Sequence, residues 1–262
     1  MLRSLWTSAS GMIAQQTHLD VVTHNLANVN TTGYKKRRAD FEDLMYQVNK
    51  EPGAPVEPDG VVPTGIQVGL GTRVVATPSF MREGSYQVTD NDLDWVIAGE
   101  DAYFQVMLPN GNVAYTRAGA WHLDDQGQIV SEDGLLLEPA VTVPENARAI
   151  DVSPSGVISI LNVDNEMEEI GQIELARFVN PAGLRAMGDR IFLRSDSSGE
   201  PIVGNPGEDG MPEIQQGAIE MSNVQVVEEM VEMIIAQRAY EANSKGIQTA
   251  DELLRIANGL KR

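Results

Sequence analysis

Residues Ser222–Asn258 read SNVQVVEEMVEMIIAQRAYEANSKGIQTADELLRIAN. This stretch holds no proline and one glycine, Gly246, and its apolar side chains return at helical spacing. Val224, Val227, Val231 and Ile234 form one stripe, and Tyr240, Ile247 and Leu254 repeat at seven. Ser222 is placed to cap such a helix, with Glu228 and Glu229 near the positive end of its dipole. The other end of the 262-residue chain behaves the same way. Leu5, Met12, Leu19 and Leu26 keep a seven-residue beat, widened by Val22 and Val29, until Asn28-Val29-Asn30-Thr31-Thr32-Gly33 favours a turn. A second, shorter helical pattern is expected over Asp40–Gln47, where Phe41, Leu44 and Met45 are apolar. Two amphipathic helices at opposite ends pair most simply with each other, because loop-closure entropy grows only logarithmically with length.

Between the ends lie all 13 prolines and nearly all of the 24 glycines. Short alternating or β-branched runs alternate there with turn signals. Gln67–Ala76, Trp95–Ala98, Tyr103–Leu108, Val113–Tyr115, Trp121–Leu123, Gln128–Val130, Ala149–Val152, Val157–Leu161, Ile170–Phe178 and Arg190–Arg194 read as strands. Pro109-Asn110-Gly111, Glu132-Asp133-Gly134 and Pro154-Ser155-Gly156 read as hairpin turns between them. The expected fold class is α+β: N- and C-terminal helices pairing in a coiled-coil-like bundle around a central antiparallel all-β domain. Four segments follow: 1–47 helical, 48–66 an extended arm, 67–217 β-rich, and 218–262 helical. The arm is marked by Pro52, Gly53, Pro55, Pro58, Gly60 and Pro63.

Composition excludes several functions. With 19 basic and 38 acidic side chains the formal charge is −19, a poor match for a phosphate backbone, so nucleic acid is not an expected partner. There is no cysteine, hence no disulfide, thiolate nucleophile or cysteine-held metal. No run of about 18 apolar residues suggests a membrane span, and the N-terminus lacks the continuous apolar core of a secretory signal. His18 and His24 stand about 240° apart on a helix and cannot chelate one metal. His122 reads as a strand position. Asp90-Asn91-Asp92-Leu93-Asp94 starts like a calcium loop, but Trp95 stands where the sharp turn needs glycine and Asp101 where the closing Glu belongs, so a turn is expected. Gly69-Leu70-Gly71 lacks the rest of a dinucleotide fingerprint. Catalytic residues, metal ligands and cofactors are therefore not expected.

The terminal helices carry many polar groups on or beside the apolar stripe: Gln15, Gln16, Asn25, Asn28, Gln237 and Asn243. Buried carboxamides need partners. Packing between chains would supply them and fix register, as buried polar residues do in coiled coils.

The residues also resemble a known family. Ser8-Ala9-Ser10-Gly11-Met12, Leu19-Asp20-Val21-Val22-Thr23-His24-Asn25-Leu26-Ala27-Asn28 and Thr32-Gly33-Tyr34-Lys35 resemble the N-terminal signature of bacterial flagellar rod and hook proteins. Gly217, Glu220, Ser222-Asn223-Val224, Val227, Glu229, Ile234, Gln237-Arg238-Ala239-Tyr240-Glu241-Ala242-Asn243-Ser244-Lys245, Thr249, Asp251 and Leu254 resemble its C-terminal one. Phe104-Gln105-Val106 and Tyr115-Thr116-Arg117-Ala118-Gly119 look like its β-domain pattern, with Asp101-Ala102-Tyr103-Phe104 standing where the family usually has Gly-Phe-Phe. The chain's length and the arm after Phe41–Gln47 look like the distal rod branch, with a proximal rod subunit or a hook-type axial protein as the alternative. A carboxylate-dependent glycosidase is the non-structural alternative, for which the chain has no room.

The resemblance implies a structural subunit that polymerises helically with itself, its terminal helices forming an inner tube and the β domain outside. It implies Leu5, Met12, Leu19, Val22, Leu26, Val227, Ile234, Tyr240, Ile247 and Leu254 as inner-helix contacts, and an arm that stiffens the rod. Implied partners are proximal rod proteins, the hook protein, the periplasmic and outer-membrane ring bushing and the flagellar type III export apparatus. The implied place is the basal body, crossing the periplasm after export without a cleaved signal. Charge has a matching distribution: residues 1–50 carry +2, residues 218–262 carry −2, and residues 51–217 carry −19. The helical ends together are neutral, so self-repulsion is not built into a tube made of them.

Overall fold

The computed structural model describes residues 2–53, 55–56, 60–61, 63–163 and 166–259. Two long helices dominate the ends, α1 (Leu2–Ala27) and α2 (Val226–Gly259), and they pack against each other. The central residues form antiparallel sheet, as the turn-punctuated runs predict. By internal packing the chain divides into a helical unit (1–26, 37–78, 226–262) and a β-rich unit (27–36, 79–225).

Within the helical unit the contacts between α1 and α2 are antiparallel. Asn25 Nδ2 donates to Glu229 Oε2 at 3.0 Å, His18 Nε2 lies 3.8 Å from Glu232 Oε2, and a Cβ on Gly11 would meet Asn243 at 2.8 Å. From Gly11 to Asn25, fourteen residues along α1, the facing residue on α2 moves back by fourteen, from Asn243 to Glu229. The buried positions of α2 are Glu229, Ala236 and Ala250, in step with half-buried Asn243. The seam is therefore built on small and polar residues beside the apolar stripes expected from the sequence, one position off Met12, Leu19 and Leu26 on α1 and two positions off Val227 and Ile234 on α2. Small side chains let the two backbones approach, and Gly11 is one point where no larger residue fits without moving Asn243.

The same unit carries a long hairpin in place of two expected features. Asp40–Asp43 pairs antiparallel with Thr72–Ala76, Tyr46–Lys50 with Ile66–Gly69, and Pro55–Val56 with Gly60–Val61. The expected short helix over Asp40–Gln47 is thus a strand, because pairing with residues 66–76 satisfies backbone groups that one isolated helical turn leaves open. The hairpin also takes Gln67–Ala76, which the sequence suggested for the central sheet. The proline-rich arm is its outer part; Pro58 lies outside the described residues. The hairpin rests on α1 through Thr72 N–H donating to Ser10 Oγ at 3.3 Å and an edge-on contact of His18 with Phe41.

The β-rich unit has a nine-stranded antiparallel sheet centred on Ala102–Met107 and Val113–Thr116, and a three-stranded meander, Ala147–Val152, Val157–Asn162 and Met167–Gln172. Two short pairs, Glu213–Gln216 with Trp95–Ala98 and Ala218–Glu220 with Tyr86–Val88, bring the C-terminal part of the unit alongside. Its core is large: Trp95, Trp121, Phe104, Ile129, Leu137, Ile158, Ile160, Ile173 and Leu175 are fully buried. A second cluster gathers Tyr103, Tyr115, Phe178 and Phe192 in edge-to-face contacts. Tyr103, in the run Asp101-Ala102-Tyr103-Phe104, is fully enclosed, and its hydroxyl has no partner among the described residues. Burial pushes the phenol well above its usual range. An unmet hydroxyl costs about 1–3 kcal/mol, so Tyr103→Phe is expected to leave stability unchanged or raise it by about 1 kcal/mol in a denaturant titration.

Candidate functional site

Two features of the structure stand apart from ordinary core packing. The first is the apolar surface of the helical unit. Among its described residues the fully buried apolar ones are four alanines, Ala14, Ala39, Ala236 and Ala250, and one valine, Val22. Its large apolar side chains lie on the outside: Trp6 is 75% exposed, Ile13 67%, Val227 74% and Ile234 56%, with Met230, Val231, Ile235, Leu253 and Ile256 similarly open. Such a surface exceeds what a monomer normally leaves in water.

The inner-helix positions expected from the sequence split accordingly. Val22 is buried; Leu5, Met12, Leu19, Leu26, Ile247 and Leu254 are half-buried. Val227, Ile234 and Tyr240 face outward, and within one chain they do not form the α1–α2 seam. Hairpin residues extend the apolar surface, with Met45 83% and Ile66 54% exposed. Pro52, Gly53 and Pro63 are exposed, and Pro55 and Gly60 belong to the tip strands.

The second feature is a buried ion cluster in the β-rich unit. Lys35 Nζ donates to Glu220 Oε1 at 2.6 Å and to the Arg82 carbonyl at 2.8 Å. Arg117 donates from Nε to Glu220 Oε2 at 3.0 Å, and its two terminal nitrogens donate to the carbonyls of Ala102 and Gly99. Gly84 N–H completes the Glu220 carboxylate at 2.9 Å. All three charged side chains are 0–1% exposed. Burial, with the Arg117 cation second, lowers the Lys35 ammonium to about 8 against the pull of Glu220. For Glu220, burial raises the carboxyl, but Arg117 and Lys35 outweigh it and hold the group below its usual range.

The other residues of the resemblance have these surroundings. Gly33 adopts φ +67°, and a Cβ there would lie 2.7 Å from Ala118 N, which accounts for glycine. Asn223 accepts from Lys36 N–H at 2.7 Å and donates to the carbonyls of Phe80 and Arg82. Ser222 is not a helix cap: its Oγ accepts from Val224 N–H, and α2 starts only at Val226. Asn28 Oδ1 accepts from Thr31 Oγ1 in the turn that follows α1. Tyr34 is half-buried in the same turn region. In the helical unit Asn25 is 1% exposed and bonds within its own chain, to Arg37 N and O as well as Glu229, where the sequence suggested bonds between chains. Gln237 is exposed, as is Arg238, which pairs with Glu241. Sequence reasoning did not single out Arg117 and Glu220 as partners.

The candidates for chemistry have ordinary surroundings. Asp94 accepts from Thr89 Oγ1 and Asn91 Nδ2, so Asp90–Asp94 is a turn closed by its own side chains. Among the described residues no three His, Asp or Glu side chains are placed to hold a metal ion, and no helix is long and apolar enough to cross a membrane.

Comparison with known proteins bears on both features. Family models match at three places: "Flagella basal body rod protein" at residues 5–35, "Flagellar hook protein FlgE/F/G D1 domain" at 96–160, and "Flagellar basal body rod FlgEFG protein C-terminal" at 215–260. The flagellar basal-body rod protein FlgG of Borreliella burgdorferi is 47% identical over all of both chains. The FlgG of Caulobacter vibrioides is 44% identical over 99% of this chain and all of its own, and that of Bacillus subtilis 37% identical over all of both.

Proposed function

Because the chain belongs to the flagellar basal-body rod protein family, we propose that it is the structural subunit of the distal rod, polymerising helically into a rigid shaft that carries torque from the proximal rod to the hook. The observation that carries this reading is the inverted burial of the helical unit, with alanines inside and Trp6, Ile13, Val227 and Ile234 outside. A monomer leaves that surface wet. A helical polymer covers it with a different surface of neighbouring copies, through a head-to-tail contact that repeats without closing. In this reading Leu5, Met12, Leu19, Val22, Leu26, Val227, Ile234, Tyr240, Ile247 and Leu254 are the inner-tube contacts.

The remaining assignments follow from the same premise. The helices α1 and α2 serve the inner tube and the β-rich unit the outside, where most of the charge of −19 carried by residues 51–217 keeps rods from associating side by side. The arm of residues 48–66, drawn as the outer part of a hairpin, stiffens subunit contacts. The partners are further copies, proximal rod proteins, the hook protein, the ring bushing and the type III export apparatus. The rod crosses the periplasm, reached without a cleaved signal. The subunit works without an active site.

Complementation tests this. A motile bacterium whose distal-rod gene is replaced by this one is expected to build complete rods and swim; basal bodies that stop at the proximal rod, with the chain retained in the cell, would refute the assignment.

A further inference from the structure

The backbone passes between the two units four times, after residues 26, 36, 78 and 225. Signature residues gather at these passages. In the β-rich unit, residues 33–36, 80–85 and 220–223 are tied into one knot. Gly33 N–H donates to the Glu220 carbonyl, Phe80 N–H to the Lys36 carbonyl and Met221 N–H to the Ser85 carbonyl, while Lys35, Glu220 and Asn223 add the side-chain bonds already described. In the helical unit the matching roots are tied separately. Asn25 holds both backbone groups of Arg37 and reaches Glu229, and Arg38 N–H donates to the Pro78 carbonyl.

We propose that Lys35, Arg117, Glu220 and Asn223 form a mechanical fastening, and that these signature positions serve torque transfer within one subunit and not contact between subunits. Load passing from one unit to the other travels through the covalent passages. A passage whose root swivels cannot carry twist, whereas one anchored by buried, hydrogen-bonded charges can. Three segments far apart in sequence share one carboxylate here, so displacement of any one strains the other two. Arg117 anchors the knot to the main sheet through the carbonyls of Ala102 and Gly99. The idea rests on the rod reading above.

The test uses the full chain with Lys35→Met and, separately, Asn223→Ala, a neutral change that removes only the amide's bonds. Each is expected to speed amide exchange at 33–37, 80–85 and 220–223 by about tenfold or more, with 102–107 and 113–116 unchanged. In cells the variant rods assemble, and rotation of an attached bead falls below wild type only at high viscous load. A uniform rise in exchange across the sheet overturns the proposal, as does wild-type rotation at every load despite loosened segments. If wild-type chains fail to build rods, the rod reading itself falls; if they build rods and only the variant results fail, the fastening alone falls.

Discussion

Glu220→Ala is expected to cost about 3–5 kcal/mol of stability in the β-rich unit, the typical penalty for stranding a buried charge. The change leaves two cations, Lys35 and Arg117, enclosed with no anion between them, and removes the acceptor for Gly84 N–H as well. Relief by deprotonation is available only to Lys35, whose ammonium is already lowered to about 8, since an arginine keeps its proton. The penalty depends on pH in a defined sense. Arg117 and Lys35 hold the folded carboxyl below its ordinary value of 4.5, so in acid the unfolded chain takes up that proton first. The stability due to ionised Glu220 is therefore present above about 4.5 and lost as pH falls through the folded value. Denaturant titrations of both proteins at neutral pH and near pH 3 are expected to show the gap narrowing on acidification. A gap that stays constant would mean that the carboxylate charge is not what the cluster uses.

Val227→Glu combined with Ile234→Glu is expected to abolish assembly and leave the fold intact. Both side chains are more than half exposed in the single chain, so each substitution is nearly neutral there. Covered by a neighbour, each carboxylate would lose water without gaining a partner, at a cost of a few kcal/mol apiece. A loss of about 4 kcal/mol per contact raises the concentration needed for assembly about a thousandfold. Sedimentation of the concentrated protein reads the first effect and circular dichroism the second. Variants that still polymerise would show that this face of α2 is not a subunit contact.

The helical ends and the antiparallel middle were legible because each leaves a local period: heptads near the termini, alternation and Gly-containing turns between them. The seam was not. Leu5, Met12, Val227 and Ile234 are the conspicuous apolar residues, but Gly11, Asn25, Asn243 and Ala236 are what let two helices meet closely, and hydrophobic pattern gives small or polar residues no weight. The strand at Asp40–Asp43 has the local pattern of a helix because its partner, Thr72–Ala76, lies across the proline-rich arm. Ser222 has the chemistry of a cap, yet α2 begins only at Val226. Lys35 and Glu220 are separated by 185 residues, a distance at which no periodicity records a pair. The family resemblance marked both positions without saying what either one does.

High-resolution imaging of assembled rods tests the central claim most directly. The account predicts that Trp6, Ile13, Val227 and Ile234 are covered by helices of neighbouring subunits while Lys35, Arg117 and Glu220 keep their bonds inside each subunit. A rod in which those four apolar side chains remain in solvent, with subunits joined through the β-rich unit alone, would contradict it.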